Sequence, residues 1–252
     1  MADEPRGTYA DAIERLAFAQ KGARNAPAYS RWVNRPLGRR FAAVAYVAGL
    51  TPDRVTGISA CFTFAGIGLL AAGALSPLLG LLVAILLVIG YALDSADGQL
   101  ARLRGGGSPR GEWLDHVTDA AKNASVHLAV AISWYRSGDA DLFGRTSSSL
   151  LLVPLAYAVV WSTQFYAKSL TDQLRLQHGG PPAPTTEEGL AQAAPWLGSV
   201  ITLPNDYGLL CLALGTIGFP AVFTPLYLGL LVASTLFLAA SLRRWSRELR
   251  GQ

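Results

Sequence analysis

Residues 77–119 read PLLGLLVAILLVIGYALDSADGQLARLRGGGSPRGEWLDHVTD. The stretch begins as an unbroken apolar run and ends as a second run begins. An apolar segment of about 18 or more residues can cross a hydrocarbon core of ~30 Å as a helix. The stretch therefore predicts a hairpin of two membrane helices. Its four aspartates occur in pairs where the two runs face each other: Asp94 and Asp97, then Asp115 and Asp119.

The composition of the whole chain agrees with a membrane protein. Of its 252 residues, 51% are hydrophobic and only 15% are charged, with a mean hydropathy of +0.32. Soluble domains carry roughly 25% charged residues. This balance excludes a disordered chain, a disulfide scaffold and an ordinary soluble enzyme. The two cysteines, Cys61 and Cys211, lie in separate apolar runs and are predicted to be small core residues.

The predicted fold is an all-α integral membrane protein with six transmembrane helices and an N-terminal amphipathic interfacial helix. Residues 1–50 form a cytoplasmic segment, 51–242 the six-helix transmembrane domain and 243–252 a basic cytoplasmic tail. Tyr9, Ile13 and Leu16 recur at helical spacing and predict the amphipathic helix, with a short soluble helix as the alternative. The six predicted spans are Val55–Leu75, Pro77–Leu93, Trp113–Tyr135, Leu150–Ala167, Leu197–Phe219 and Pro220–Leu242.

Positive charge predicts the orientation. Eighteen of the 21 Lys and Arg residues fall on one side of the predicted membrane, and the opposite side holds only Arg136 and Arg145. Cytoplasmic segments are enriched in these residues. We therefore expect a multi-pass protein of the cell (cytoplasmic) membrane, with both termini and the acidic pairs on the cytoplasmic side. The basic residues are spread over juxtamembrane segments, so no nucleic acid is expected as a partner.

The four acids predict a metal site. Asp94 and Asp97 are three residues apart and Asp115 and Asp119 are four apart, so each pair shares one helix face. Acids in membrane helices are costly and usually functional, although a single acid near a membrane boundary is often a solvated helix end. Clustered carboxylates need counter-charge, and hard oxygen ligands favour Mg²⁺ or Mn²⁺. Four carboxylates suffice for two divalent cations, the arrangement used in phosphoryl displacement.

The acidic segment resembles the signature of the CDP-alcohol phosphotransferase family, D-x-x-D-G-x-x-A-R followed by G-x-x-x-D-x-x-x-D. Six spans and a cytoplasmic motif also fit that family. Every fixed position of the signature is filled, by Asp94, Asp97, Gly98, Ala101, Arg102, Gly111, Asp115 and Asp119.

The resemblance implies a transferase that moves a substituted phosphate from a CDP-alcohol donor to an acceptor alcohol and releases CMP. It implies that all four aspartates hold the two cations and that Asp119 is also the general base. It further implies a homodimer within the lipid bilayer. Four residues are expected to line the nucleotide site: Gly98, Ala101, Arg102 and Gly111.

A second likeness lies at residues 51–56, TPDRVT, where family members often carry Thr-Pro-Asn-x-x-Thr. Asp53 stands in place of the Asn, and it can accept a hydrogen bond from a cytosine amino group but cannot donate one. Asp53 and Thr56 are thus further candidates for nucleotide binding. The alternative is that Pro52 and Thr56 only begin a helix.

Substrate identity is left open by the sequence. We expect CDP-diacylglycerol as donor, in phospholipid synthesis. A CDP-polyol donor of the CDP-inositol type is the alternative, because residues 29–36, YSRWVNRP, look like the leader of the branch that includes di-inositol-phosphate-phosphate synthases. Lys122 and Lys168 are candidates for binding a phosphorylated polyol acceptor. Alternatively, Lys122 pairs with the carboxylates and Lys168 reaches to lipid headgroups.

Other functional classes are also compatible with buried acids. An ion-coupled transporter usually places its acids near the membrane midplane, often across repeats. Here five acids lie in or at the mouths of the predicted spans, and four of them belong to one hairpin. A scaffold with a degenerate site is disfavoured because no signature position is missing. Asp206, the fifth acid, is either a structural hydrogen-bond acceptor at a broken helix or a substrate contact.

Overall fold

A computed structural model describes residues 8–18, 27–137, 148–178, 202 and 205–250. Within these residues the chain is helical and contains no strand. The described residues form eight α-helices: α1 (Tyr9–Phe18), α2 (Arg35–Val47), α3 (Pro52–Ala72), α4 (Pro77–Leu103), α5 (Pro109–Ser137), α6 (Leu152–Gln177), α7 (Tyr207–Leu214) and α8 (Pro220–Leu249). One turn of π-helix, Ser30–Asn34, leads into α2.

Local sequence signals set where the helices begin. The Thr51 hydroxyl accepts from the Arg54 amide at 3.3 Å and the Ser76 hydroxyl from the Leu79 amide at 3.1 Å, so each caps the helix that follows. A proline comes next in both cases, where its fixed φ suits a first helical position. At α1, Thr8 and Asp11 exchange hydrogen bonds, and those from Thr8 lower the pKa of the exposed Asp11 carboxyl.

Three helices are long and apolar enough to cross a membrane: α3, α4 and α8. They coincide with the first, second and sixth predicted spans. Helices α5 and α6, with 29 and 26 residues, overlap the third and fourth predicted spans but are longer, and they are not among the three helices that are apolar enough to cross a membrane. The start of the predicted fifth span and the predicted loop 179–186 lie outside the described residues. What is described of the fifth span contains the eight-residue helix α7.

The helices extend beyond the apolar runs that predict them. Helix α4 continues ten residues past Leu93 and α8 continues to Leu249. Hydropathy marks only the part of a helix that fits the hydrocarbon, whereas Arg, Gln and Leu also favour helix in polar surroundings. As a result α4 and α5 are joined by only five residues, 104–108. Gly105 and Gly106 have φ of 98° and 134° in this link, a backbone conformation that side chains other than glycine rarely adopt.

Two hydrophobic clusters hold the helices together. The larger is rich in aromatic side chains, among them Trp134, Tyr157 and Tyr227, and it surrounds the buried His127, whose Nδ1 lies 2.6 Å from the Tyr227 hydroxyl. The smaller cluster joins α1 and α2 to the polar end of α4. Its buried members are Ala12, Leu16, Ala42, Ala43, Ala45, Val55, Ala96, Leu100 and Leu103.

The N-terminal segment is therefore part of the folded body. Helix α2 packs on α4, and small residues allow the close approach, since a Cβ added to Gly38 would lie 2.8 Å from Ser95 Oγ. The sequence predicts one helix before residue 50, and the structure has two. Helix α2 carries few long apolar side chains, so its pattern does not indicate a core-packed helix.

Candidate active site

Helices α4 and α5 bring three of the four motif carboxylates together. Asp94, Asp97 and Asp115 each offer an oxygen, and these oxygens all lie within 4.8 Å of one another. Helix α3 packs against both α4 and α5. The spacing of three residues on α4 places Asp94 and Asp97 on one face, as the sequence predicts.

Asp119 lies one helical turn beyond Asp115 and has a different partner. The ammonium group of Lys122 forms an ion pair with Asp119 and lies 3.5 Å from Asp94 Oδ2. Lys122 is buried, and its Nζ lies 5.0 Å from the centre of the Tyr207 ring. Lys122 thus supplies counter-charge to a carboxylate of each helix.

Hydrogen bonds fix the orientation of Asp97. The Thr56 hydroxyl donates to its Oδ2 at 2.5 Å, and the Gly98 amide donates to its Oδ1 at 2.5 Å. Both Thr56 and Asp97 are buried, so the pair links α3 to α4. Thr56 therefore contacts a carboxylate of the acidic cluster, and its role in nucleotide binding stays a prediction.

A cavity of about 200 Å³ opens beside the carboxylates. It combines anionic groups with two guanidinium groups, and the lining residues are Arg35, Asp94, Ser95, Asp97, Gly98, Gln99, Arg102, Asp115 and Asp119. A Cβ added to Gly98 would meet only Arg102 Nη1, at 3.5 Å. Without a side chain at this position, the backbone of α4 is accessible from the cavity. The cavity is polar and large enough for a charged group.

Several predicted site residues are not among the described residues that line this cavity. Asp53 lies 3.7 Å from Arg110 in a largely exposed ion pair, and a Cβ added to Gly111 would lie 3.3 Å from Asp53 Oδ1. Ala101 is half-buried on α4. Lys168 is exposed on α6. Their predicted roles in nucleotide and acceptor binding remain predictions.

Asp206 has a structural role. It caps α7, because its Oδ1 accepts from the Gly208 amide at 3.0 Å, and its Oδ2 accepts from the Ser30 amide at 3.2 Å. Tyr29 packs against Gly208, where a Cβ would overlap its ring. We call these contacts the N-terminal clasp. They favour the structural interpretation of Asp206 over the substrate contact.

The sequence does not indicate three lining residues, Arg35, Ser95 and Gln99. Ser95 and Gln99 lie within the motif at a spacing of four, and the Gln99 amide donates to Ser95 Oγ at 3.1 Å. That spacing is a signal that could have found them. Arg35 lies far upstream in the stretch 29–36, and nothing in its local sequence connects it to the acidic motif.

The residues fit a divalent cation. Three carboxylate oxygens from separate side chains within 4.8 Å form the hard-oxygen donor set that Mg²⁺ and Mn²⁺ prefer. The hydrogen bond from Thr56 orients Asp97, and metal-binding carboxylates are commonly oriented by such hydrogen bonds. Asp119 lines the same cavity and is the remaining carboxylate for a second cation.

Comparison with known proteins agrees with this site. The family model for CDP-alcohol phosphatidyltransferase matches residues 49–187, more than half of the chain. The chain belongs to the CDP-alcohol phosphatidyltransferase family. It is therefore a membrane phosphotransferase of phospholipid biosynthesis, and the transporter and the inactive scaffold are not supported.

Several solved structures are similar to the chain, and among them is one with a TM-score of 0.48 and 23% sequence identity. It is the crystal structure of Mycobacterium tuberculosis phosphatidylinositol phosphate synthase with CDP-DAG bound, and the alignment covers 86% of this chain and 92% of that one. Comparison with curated proteins gives no match.

Proposed function

We propose that the protein transfers a substituted phosphate from a CDP-alcohol, most simply CDP-diacylglycerol, to the hydroxyl of an acceptor alcohol, and releases CMP. The observation that carries the proposal is the convergence of Asp94, Asp97 and Asp115 beside two arginines in one cavity. The family is described as transferring phosphatidyl groups, which favours the diacylglycerol donor over a CDP-polyol.

Two divalent cations, Mg²⁺ or Mn²⁺, complete the site in this proposal, held by Asp94, Asp97, Asp115 and Asp119. When bound, they neutralise the donor diphosphate and stabilise the charge that develops on the departing CMP. Within the chain, Arg102 is the fork that orients a phosphate, since a guanidinium donates two parallel hydrogen bonds. Gly98 leaves room for that phosphate to approach the helix.

Asp119 acts as the general base. The acceptor oxygen forms a bond to the donor phosphorus that carries the alcohol, the bond from that phosphorus to the oxygen of CMP breaks, and the acceptor proton passes to Asp119. Lys122 holds Asp119 in place by their ion pair and also presents positive charge beside it. This arrangement suits an acceptor that carries a phosphate, such as a phosphorylated polyol. Lys168 is a more distant candidate for the same acceptor.

The nucleotide is expected to lie between the Gly98–Arg102 face of α4 and the α4–α5 link. Ala101, Gly111 and Asp53 lie toward this link and are the remaining candidates for contacts with CDP. Thr56 contributes to the site by orienting Asp97 through their hydrogen bond. In this proposal the protein has six transmembrane helices and forms a homodimer within the bilayer. Both termini and the site lie on the cytoplasmic side.

A CMP-release assay tests the reaction. The purified full chain is incubated with Mg²⁺, with CDP-diacylglycerol or CDP-inositol as donor, and with inositol phosphate, glycerol phosphate or inositol as acceptor. We expect one pair to release CMP, and Asp97→Asn to abolish the release. Glu112→Gln is the matched control because Glu112 is an exposed acid on α5. Failure of every pair, with CDP-polyol and CDP-lipid donors both included, would contradict the proposal.

Cysteine labelling tests the orientation. In a background that lacks Cys61 and Cys211, a cysteine replacing Gly107, where an added Cβ meets open space, should be protected from an impermeant thiol reagent in intact cells. A cysteine replacing Gly138 should react. Equal labelling at the two positions would show that the proposed orientation is wrong, and would leave the reaction itself unaffected.

A further inference from the structure

We propose that Arg35, which the N-terminal segment contributes to the cavity, is a second phosphate-binding residue and grips the diphosphate of the donor together with Arg102. This inference rests on the proposed function and extends its donor site to a helix that precedes the matched family region. That region begins at residue 49, so Arg35 lies outside it. The chemical class that Arg35 recognises is a nucleoside diphosphate.

The position of Arg35 is the first argument. It is the first residue of α2, and it lines the same cavity as Asp97 and Arg102. The remaining lining residues come from α4 and α5, so Arg35 is the contribution of the N-terminal segment to the described lining. The aspartates of α4 and α5 can bind cations, but a diphosphate also needs positively charged side chains. Arg35 supplies one from α2, a helix that contributes no aspartate to the cavity.

The second argument is that α2 holds Arg35 in place. The Gln99 amide donates to the Arg35 carbonyl oxygen at 3.2 Å, and Gln99 is itself buried on α4. The close approach of Gly38 to Ser95 comes one turn later on α2. On the other side, the N-terminal clasp ties the Ser30 amide to Asp206. Because the backbone is already fixed, ligand binding does not have to order this segment, and only the side chain of Arg35 loses freedom.

The third argument is electrostatic. Arg35 and Arg102 both line this cavity, so their like charges oppose each other there. Like charges in one polar cavity are unfavourable unless anions lie between or beside them. The carboxylates supply part of that compensation in the free protein. When cations bind those carboxylates, the carboxylates no longer neutralise the two guanidinium groups. A diphosphate can then neutralise them, with one guanidinium for each phosphate.

Nucleotide binding to the purified full chain tests the inference. With saturating Mg²⁺, binding of CDP is measured by calorimetry, and binding of cytidine by competition with CDP. Losing a charge-assisted fork should weaken CDP binding in Arg35→Ala roughly 10- to 100-fold. Cytidine binding and the melting temperature without ligand should be unchanged. Arg40→Ala is the matched control, since Arg40 is exposed on the same helix.

The outcomes separate this inference from the proposed reaction. If the wild type binds CDP and releases CMP, while Arg35→Ala binds CDP as tightly as Arg40→Ala, the inference is wrong and the reaction stands. A parallel loss of cytidine binding and melting temperature would show that Arg35 only supports the fold, which also overturns it. Should Arg35→Ala fail to fold, Arg35→Lys keeps the charge without the fork. CDP affinity equal to wild type in that variant would contradict phosphate binding by the guanidinium.

Discussion

Arg175 and the motif aspartates offer two ways of placing carboxylates at helix ends. Between α6 and α8, the buried Arg175 donates to both oxygens of Glu248 at 2.8 and 2.6 Å, and to Asp172 at 2.8 Å. Between α4 and α5, three carboxylates converge with Asp119 nearby. In the first cluster one guanidinium donates hydrogen bonds to two carboxylates. The second gathers more negative charge than Lys122 alone can balance.

The difference separates a structural role from a binding role. A guanidinium whose N–H groups already donate to carboxylates stabilises the fold and has few donors free for a ligand. Carboxylates held within 4.8 Å of one another cost stability unless a cation joins them. A fold keeps such an arrangement where function requires it. Substitutions in the two clusters should therefore have opposite consequences for activity and for stability.

Asp97→Asn should have the largest effect. Replacing a metal-binding carboxylate by an amide should lower CMP release by more than about 10³-fold, because metal affinity and charge stabilisation are lost together. The melting temperature of the metal-free protein should not fall, because one negative charge leaves a crowded cluster. Activity and thermal unfolding are measured on the same preparation. Retained activity, or a clear loss of stability, would make Asp97 a structural acid like those around Arg175.

Asp119→Asn should come next and should separate chemistry from donor binding. A general base contributes roughly 10²–10⁴ in rate, so single-turnover CMP release should fall by that factor at saturating Mg²⁺. Affinity for the CDP-alcohol should change far less. Arg102→Ala should show the reverse balance, with weaker donor binding and a smaller loss of turnover. Turnover in Asp119→Asn near that of the wild type would exclude the general-base role.

Thr56→Val should have an intermediate effect. The substitution removes the hydroxyl that donates to Asp97 at 2.5 Å and preserves the shape of the side chain. Loss of such an outer contact weakens metal binding about 10- to 100-fold. Mn²⁺ affinity can be followed by electron paramagnetic resonance, with Thr56→Ser as the control that keeps the hydroxyl. Unchanged Mn²⁺ affinity in Thr56→Val would show that Asp97 does not need this hydrogen bond.

Arg175→Met should have the smallest effect on activity and a clear effect on stability. It leaves Glu248 and Asp172 without their fork, and because these carboxylates are partly exposed we expect a loss of about 1–3 kcal/mol. CMP release at low temperature should stay within about twofold of wild type, since none of these three residues lines the cavity beside the motif aspartates. Thermal unfolding provides the measurement. A large loss of activity without loss of stability would mean that this cluster also serves function.

The sequence predicts the acidic hairpin better than its surroundings. Spacings of three and four residues suffice to place Asp94 with Asp97 and Asp115 with Asp119, because they follow from local helix geometry. The contact of Lys122 with Asp119 follows from the same rule, and the structure places it there. The position of α3 and α8 follows from their apolar length.

Long-range packing explains what the sequence does not reveal. Arg35 reaches the cavity because Gly38 and the alanines of α2 fit closely on α4, a match of shapes that leaves no periodic pattern of large apolar residues. Thr56 and Asp97 are 41 positions apart, and Asp206 and Ser30 are 176 apart. Such pairs depend on tertiary structure, so local spacing predicts neither of them.

The N-terminal clasp has a consequence for the order in which the protein is built. During synthesis Ser30 emerges long before Asp206, and 176 positions separate the two. Helices α2, α3, α4 and α5 can associate as they leave the ribosome, yet the hydrogen bond that fastens the segment before Arg35 cannot form until α7 has been made. The donor side of the cavity therefore receives its last restraint late in biogenesis. A truncated chain that ends before residue 205 would carry every motif aspartate and still lack that restraint.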